Sequence, residues 1–110
     1  MIKRFETILL EEVMIFLKQL GEKPRNKIFQ NIERASHQTD PKLFKKLAGD
    51  IWEFRTVYAG LQYRLLAFWD KRDNKKTLVI ATHGFVKKTD KVDKKDFDKA
   101  NRIKQQYLNE

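Results

Sequence analysis

Apolar and polar residues recur with two different periods along this chain, and the changes of period mark its elements. Ile2 to Glu6 alternates, with Ile2 and Arg4 on one face and Phe5 on the other, which predicts a short edge strand. From Ile8 to Leu20 the period lengthens: Leu9, Val13, Phe16, Leu17 and Leu20 recur at helical spacing. Thr7 is placed to cap that helix, Glu11 and Glu12 suit its N-terminal dipole, and Gly21 ends it. Pro24 suits the first turn of a second helix, whose stripe is Ile28, Ile32 and Ala35 with Phe29 in support. Ser36 to Asp40 is a polar break. The short loop between the two helices predicts an antiparallel helical hairpin lying on a sheet.

Pro41 to Leu47 combines apolar Leu43, Phe44 and Leu47 with basic Lys42, Lys45 and Lys46, which predicts one helical turn before Gly49 and Asp50. Ile51 to Tyr58 alternates again, with Trp52 and Phe54 on a core face and Glu53 and Arg55 on the other. Ala59-Gly60 marks a turn. Leu61 to Trp69 is apolar on both faces apart from Arg64, the pattern of a central strand covered on both sides. Asp70 to Lys76 predicts a charged hairpin loop, and Thr77 to Val86 a further strand with a bulge or bend at Gly84. After a polar connection from Lys87, Asp93 is a good N-cap for a last helix with Asp96 in its first turn. Phe97, Ala100, Ile103 and Tyr107 form that helix's apolar face. The order is β-α-α-β-β-β-α: an α+β fold with a small antiparallel sheet, an N-terminal helical hairpin and a C-terminal lid helix.

Composition adds bounds. The 110 residues read as one domain over 1–110. The absence of cysteine removes disulfides and thiolate metal sites and fits a reducing compartment. No apolar run is long enough to span a membrane, and the acidic residues in MIKRFETILLEE interrupt any signal-peptide pattern, so a cytoplasmic protein with no membrane partner is expected. The net charge of +9 points to a polyanion or an acidic protein as partner.

Chemistry enters with two arginines. A two-residue turn at Ala59-Gly60 pairs Arg55 with Arg64, side by side on one face. Like charges directly opposite in a sheet are destabilising, so an anion between them is expected, and planar guanidinium groups suit phosphate. The structural alternative is that each arginine pairs with a carboxylate, and Glu53 lies on the same face. A three-residue loop with Gly60 left-handed would put the arginines on opposite faces instead.

A second cluster is His83-Gly84-Phe85-Val86-Lys87-Lys88. Alternation places His83, Phe85 and Lys87 on one face. The lysines suit backbone phosphates, and Phe85 suits either a base stack or the core. His83 is either an acid or base near neutral pH or, more simply, a hydrogen-bonded strand histidine. Lys91, Lys94, Lys95 and Lys99 alternate with aspartates and read as a solvated helix face. There is no glycine-rich phosphate loop and no metal-ligand spacing, so no cofactor is implied; Ser36 is the only serine, which disfavours serine-nucleophile chemistry.

The segments KKLAGDIWEFR (45–55), YAGLQYRLLAFWD (58–70) and HGFVKKT (83–89) resemble the phage-derived, HigB-like branch of the RelE/ParE toxin superfamily, and the resemblance covers most of the chain. It implies a RelE-like α+β toxin of a type II toxin–antitoxin pair. Its activity would be ribosome-dependent, metal-independent cleavage of mRNA, and its partners the ribosome, mRNA and a helix-turn-helix antitoxin. Operator DNA would be reached only through the antitoxin complex. Carried over by position, the strand arginine before the apolar run falls on Arg64, the basic position on the preceding strand on Arg55, and the basic residues after the last strand on Lys87 or Lys88. Glu53 stands where some relatives have a second basic residue. A tyrosine near the C-terminus has no clear counterpart: Phe97 lacks a hydroxyl and Tyr107 lies late in the helix.

Residues and resemblance together nominate Arg55, Arg64, Lys87, Lys88 and His83 as catalytic, and Lys45, Lys46 and Phe85 as RNA-binding. The expected reaction is in-line attack of a ribose 2′-hydroxyl on the adjacent phosphate, an endoribonuclease that inhibits translation. Two alternatives stay open: a gyrase-directed toxin of the ParE kind, and a non-catalytic RNA-binding module.

Overall fold

The computed structural model describes residues 2–75 and 77–110. Five strands, Glu6–Leu9 (β1), Phe44–Ala48 (β2), Ile51–Tyr58 (β3), Leu61–Asp70 (β4) and Leu78–Lys87 (β5), form one sheet in the order β1-β5-β4-β3-β2. The helices among the described residues are Glu11–Lys18 (α1), Glu22–His37 (α2) and Lys94–Leu108 (α3). β1 runs parallel to β5, and every other neighbouring pair is antiparallel.

The sequence expectation of a small antiparallel sheet in the order β-α-α-β-β-β-α is therefore corrected. The class remains α+β, but the sheet is mixed and five-stranded, and the order is β-α-α-β-β-β-β-α. Two segments account for the difference. Phe44–Ala48 is a strand, not a helical turn: Phe44 pairs with Phe54 and Lys45 with Glu53. A register shift at Leu47 lets its side chain reach the second core, which explains its misleading helical spacing. The first strand lies at Glu6–Leu9, where its backbone pairs with Leu78 to Ala81. Thr7 is thus a strand residue, α1 starts after Leu10 with no side-chain cap, and Gly21 caps the start of α2. The predicted polar break at Ser36 is the end of α2, where the Ser36 hydroxyl is buried and donates to the Glu33 carbonyl. Of the loop predicted over Asp70–Lys76, Asp70 ends β4, and Lys76 lies outside the described residues.

Helices cover both faces of the sheet. On one, α1 lies over β5 and α2 over β3. Val13, Leu17, Ile28, Ile32 and Ala35 pack there on Phe54, Leu65, Ala67 and Val79. Phe44 stacks on Phe54 and Trp52 with ring centroids 4.4 and 4.9 Å apart, so Trp52 and Phe54 do occupy a core face. Phe29 is 41% exposed and does not join the α2 stripe. On the other face, α3 packs Ala100, Phe97 and Tyr107 against Ile51, Leu66, Phe68 and Ile80. The Asp93 carboxylate accepts from the Lys95 amide at 3.0 Å and caps α3.

Gly84 is not a bulge. The register slips between Leu66 and Ala67 and leaves Thr82 as the extra residue of β5. Gly84 instead lies where α1 comes closest: a Cβ there would fall on the Phe16 ring and lie 2.7 Å from Leu65 Cδ2. The face that carries α3 is only partly covered, and the remaining part, over β2, β3 and the end of β5, holds the charged residues.

Candidate functional site

The β3–β4 turn has two residues, both left-handed: Ala59 at φ 50° and Gly60 at φ 80°. This is the geometry that matches the twist of adjacent strands, and glycine at the second position relieves half its cost. Tyr58 pairs with Leu61, and three steps further Arg55 lies opposite Arg64. The expected opposition of the arginines is present.

Between them lies the Glu53 carboxylate. Its Oε1 is 3.4 Å from Arg55 Nε and its Oε2 is 3.5 Å from Arg64 Nε. These distances exceed a charge-assisted hydrogen bond, near 2.8 Å, so the three groups are ion-paired without aligned bonds. Glu53 Oε2, Arg55 Nε and Arg64 Nε have no hydrogen-bond partner. Arg64 is 2% exposed, and its Nη1 donates to the Tyr63 carbonyl at 3.1 Å and its Nη2 to Gln62 Oε1 at 2.7 Å. Arg55 is more open; its Nη1 donates to the Pro41 carbonyl at 3.2 Å. Burial lowers the proton affinity of the Arg64 guanidinium, Glu53 opposes that shift, and Arg55 adds to it. Arginine starts so high that Arg64 stays charged.

A groove of about 560 Å³ opens over Glu53 and Arg55. Five basic side chains line it, Lys45, Arg55, Lys87, Lys91 and Lys94, against two acidic ones, Glu53 and Asp90. Leu47, Val92 and Phe97 give it apolar wall. A smaller hollow beside it joins Phe85, Lys87 and Lys88, and a third joins Lys42, Arg55, Val57 and Arg64. Excess positive charge in a concave, partly apolar site favours an anion that also carries a planar or apolar part.

The nominated residues separate on this map. Arg55, Lys45 and Lys87 share the groove, whereas Arg64, held against Glu53, is absent from its lining and opens on the hollow it shares with Lys42, Arg55 and Val57. Lys88 belongs to the neighbouring hollow. Phe85 lies opposite Arg64 and packs, half-buried, with the second core. Lys46 pairs with Trp52, which puts it on the opposite face from Lys45. His83 is 3% exposed, bonded at Nε2 to Asp96 (3.2 Å) and at Nδ1 to Thr82 (3.1 Å). Burial lowers the His83 pKa, opposed by the Asp96 bond. It is a hydrogen-bonded strand histidine under α3, outside the groove. In sequence, the alternating charges of Lys91, Lys94 and Asp90 read as a solvated face; only the return of the chain after β5 toward β3 puts them in one groove with Glu53. Among the described residues no cluster of three or more His, Asp or Glu side chains is placed to hold a metal ion.

Comparison with known proteins adds one match. A family model described as "Phage derived protein Gp49-like (DUF891)" matches residues 15–105, a span that includes the groove and all three strands behind it. No curated protein and no solved structure shows a significant match.

Proposed function

The chain belongs to the phage-derived Gp49-like family, which is associated with the toxins of toxin–antitoxin systems, and on that premise we propose that it is a toxin that cleaves mRNA on the ribosome. One observation carries the proposal: two opposed arginines with unused hydrogen-bonding capacity stand at a basic groove, Arg55 in its lining and Arg64 in the hollow alongside that the two arginines share. The proposed substrate is a ribose–phosphate step of a bound transcript. Its 2′-oxygen attacks the adjacent phosphorus in line, and the bond to the 5′-oxygen breaks. The products are a 2′,3′-cyclic phosphate and a 5′-hydroxyl end. Arg55 and Arg64 stabilise the charge that develops on the phosphoryl oxygens; donors preorganised in this way contribute about 3–4 kcal/mol each in other enzymes. Lys87, which lines the groove, supplies a proton to the leaving oxygen, and Lys45 and Lys91 hold flanking phosphates. The partner that silences such a toxin is its antitoxin, of the helix-turn-helix class by the resemblance noted above.

The test is 5′-end mapping of transcripts after brief induction. Wild type should produce new ends inside translated regions. Arg55→Ala, at a partly exposed position outside both apolar cores, should reduce them about 100-fold or more. Arg64→Lys keeps a buried cation but loses the fork, and should fall similarly. Intact transcripts during full growth arrest by wild type would remove the nuclease reading.

One observation favours a second reading. Glu53 already compensates the arginines, as a structural ion pair would. A ParE-like toxin that acts on gyrase would then be the better description. Inhibition of DNA supercoiling with intact mRNA would identify it.

A further inference from the structure

Resting on the nuclease reading above, the geometry points to Glu53 as a catalytic residue: we propose that its carboxylate takes the proton of the attacking 2′-hydroxyl. Glu53 is 1% exposed, yet it lines the groove, and its Oε2 has no hydrogen-bond partner. A buried carboxylate oxygen without a partner is costly, and the two facing arginine Nε groups are unpartnered as well. A lone anion would satisfy the arginines but would be repelled by Glu53. A lone cation would do the reverse. A hydroxyl adjacent to a phosphodiester satisfies all three at once: the hydroxyl donates to Glu53 Oε2, and the phosphoryl oxygens accept from Arg55 and Arg64.

The same arrangement explains how a carboxylate between two guanidinium groups becomes a base. In the free protein both arginines compensate its charge at 3.4 and 3.5 Å. When a phosphodiester enters, its oxygens compete for those cations, and its own negative charge comes to lie beside the carboxylate. Both effects loosen the hold of the arginines on the carboxylate and leave Oε2 able to accept the hydroxyl proton. The base is therefore activated by the substrate. In the step itself the 2′-O–H bond breaks and its proton passes to Glu53 Oε2. The freed electron pair forms the bond from the 2′-oxygen to phosphorus, and the electrons of the breaking P–O bond remain on the 5′-oxygen, which takes a proton from the Lys87 ammonium. Proton transfer from Glu53 to Lys87 through solvent restores the starting state.

His83 is the other side chain chemically able to accept this proton, but it lies outside the groove, closed in by Thr82, Asp96 and α3. No other carboxylate of the groove lies between the arginines; Asp90 stands on the β5–α3 connection.

The experiment uses the full chain on ribosomes programmed with a defined mRNA, in single turnover. Two variants are compared with wild type. Glu53→Gln keeps the volume and the acceptor oxygen but cannot take the proton. Glu53→Asp keeps the carboxylate, shortened by one methylene. Binding is measured separately with an mRNA that carries a 2′-deoxy sugar at the cleaved position. Glu53→Gln should bind this mRNA as tightly as wild type or several-fold tighter, because a repulsion is gone. Its cleavage of the all-ribose mRNA should fall by about 100-fold to 10,000-fold, the range of a lost general base, and the rise of rate with pH expected of wild type should be absent. Glu53→Asp should retain that rise at a reduced rate. Wild-type cleavage by Glu53→Gln would overturn the proposal, and so would a parallel loss of binding, cleavage and thermal stability, which marks a purely structural counter-ion. Binding by wild type with no cleavage of the all-ribose mRNA would instead remove the nuclease reading itself, and the role of Glu53 with it.

Discussion

At the scale of single residues, buried charge is what distinguishes this chain. Arg64 and Glu53 are almost wholly enclosed, and removing one partner of such a pair leaves the other uncompensated, at a cost of about 3–5 kcal/mol. That is why the informative substitutions at these two positions stay close in size and polarity. His83 offers a separate check. Burial holds its pKa below the ordinary 6.5, Lys99 adds to the shift, and Asp96 and Glu12 oppose it. The unfolded chain therefore takes up this proton at higher pH than the folded chain does. The stabilisation is complete above pH 6.5 and is lost as pH falls through 6.5 toward the folded value. Urea midpoints measured from pH 7.5 down to pH 5 should fall more steeply for wild type than for His83→Gln. Equal slopes would show that His83 is not held neutral by the fold.

At the scale of elements, the close approach of α1 to β5 rests on one missing side chain. A methyl at Gly84 would meet Phe16 and Leu65, so Gly84→Ala should cost about 1–3 kcal/mol by overpacking, read as a lower unfolding midpoint. An unchanged midpoint would mean that α1 lifts without penalty. Gly84 looked like a bulge from sequence because glycine in a strand has two common causes, and only the packing of α1 distinguishes them. The β3–β4 hairpin was the most legible element. Its alternation, its uninterrupted pairing and its Ala59-Gly60 turn are all local, and together they set Arg55 against Arg64. β2 was the least legible, because the register shift at Leu47 moves that side chain to the second core and imitates a helical period.

At the scale of the whole molecule, charge and shape act together. The net charge of +9 is not spread evenly: five cations converge on one groove. An antitoxin that inhibits by masking this groove should present acidic or neutral side chains to it. Arg64 is already buried, so protection has to be read at exposed groups. Lys45, Lys87 and Lys91 should react with an acetylating reagent in the free toxin and be protected in the inhibited complex. Full reactivity in an inhibited complex would place the antitoxin elsewhere, acting by blocking entry to the ribosome. Beyond the fold, no helix of the described residues is long and apolar enough to cross a membrane.

The sequence by itself determined what depends on neighbours in the chain. Helical stripes, the central apolar strand, the Asp93 cap and the paired arginines all follow from period, turn chemistry and propensity within a few residues. The tertiary structure decided what depends on partners far along the chain. It made Glu6–Leu9 a parallel neighbour of β5, since the choice of strand partner leaves no mark in a short apolar run. It also folded the β5–α3 connection back over β3, which brought Lys91, Lys94 and Asp90 to the groove, and it buried Glu53 between two guanidinium groups. Glu53 was visible from the start as a residue beside Arg55. That both arginines hold it, with one oxygen left without a hydrogen bond, follows from burial and distance, which no local pattern encodes.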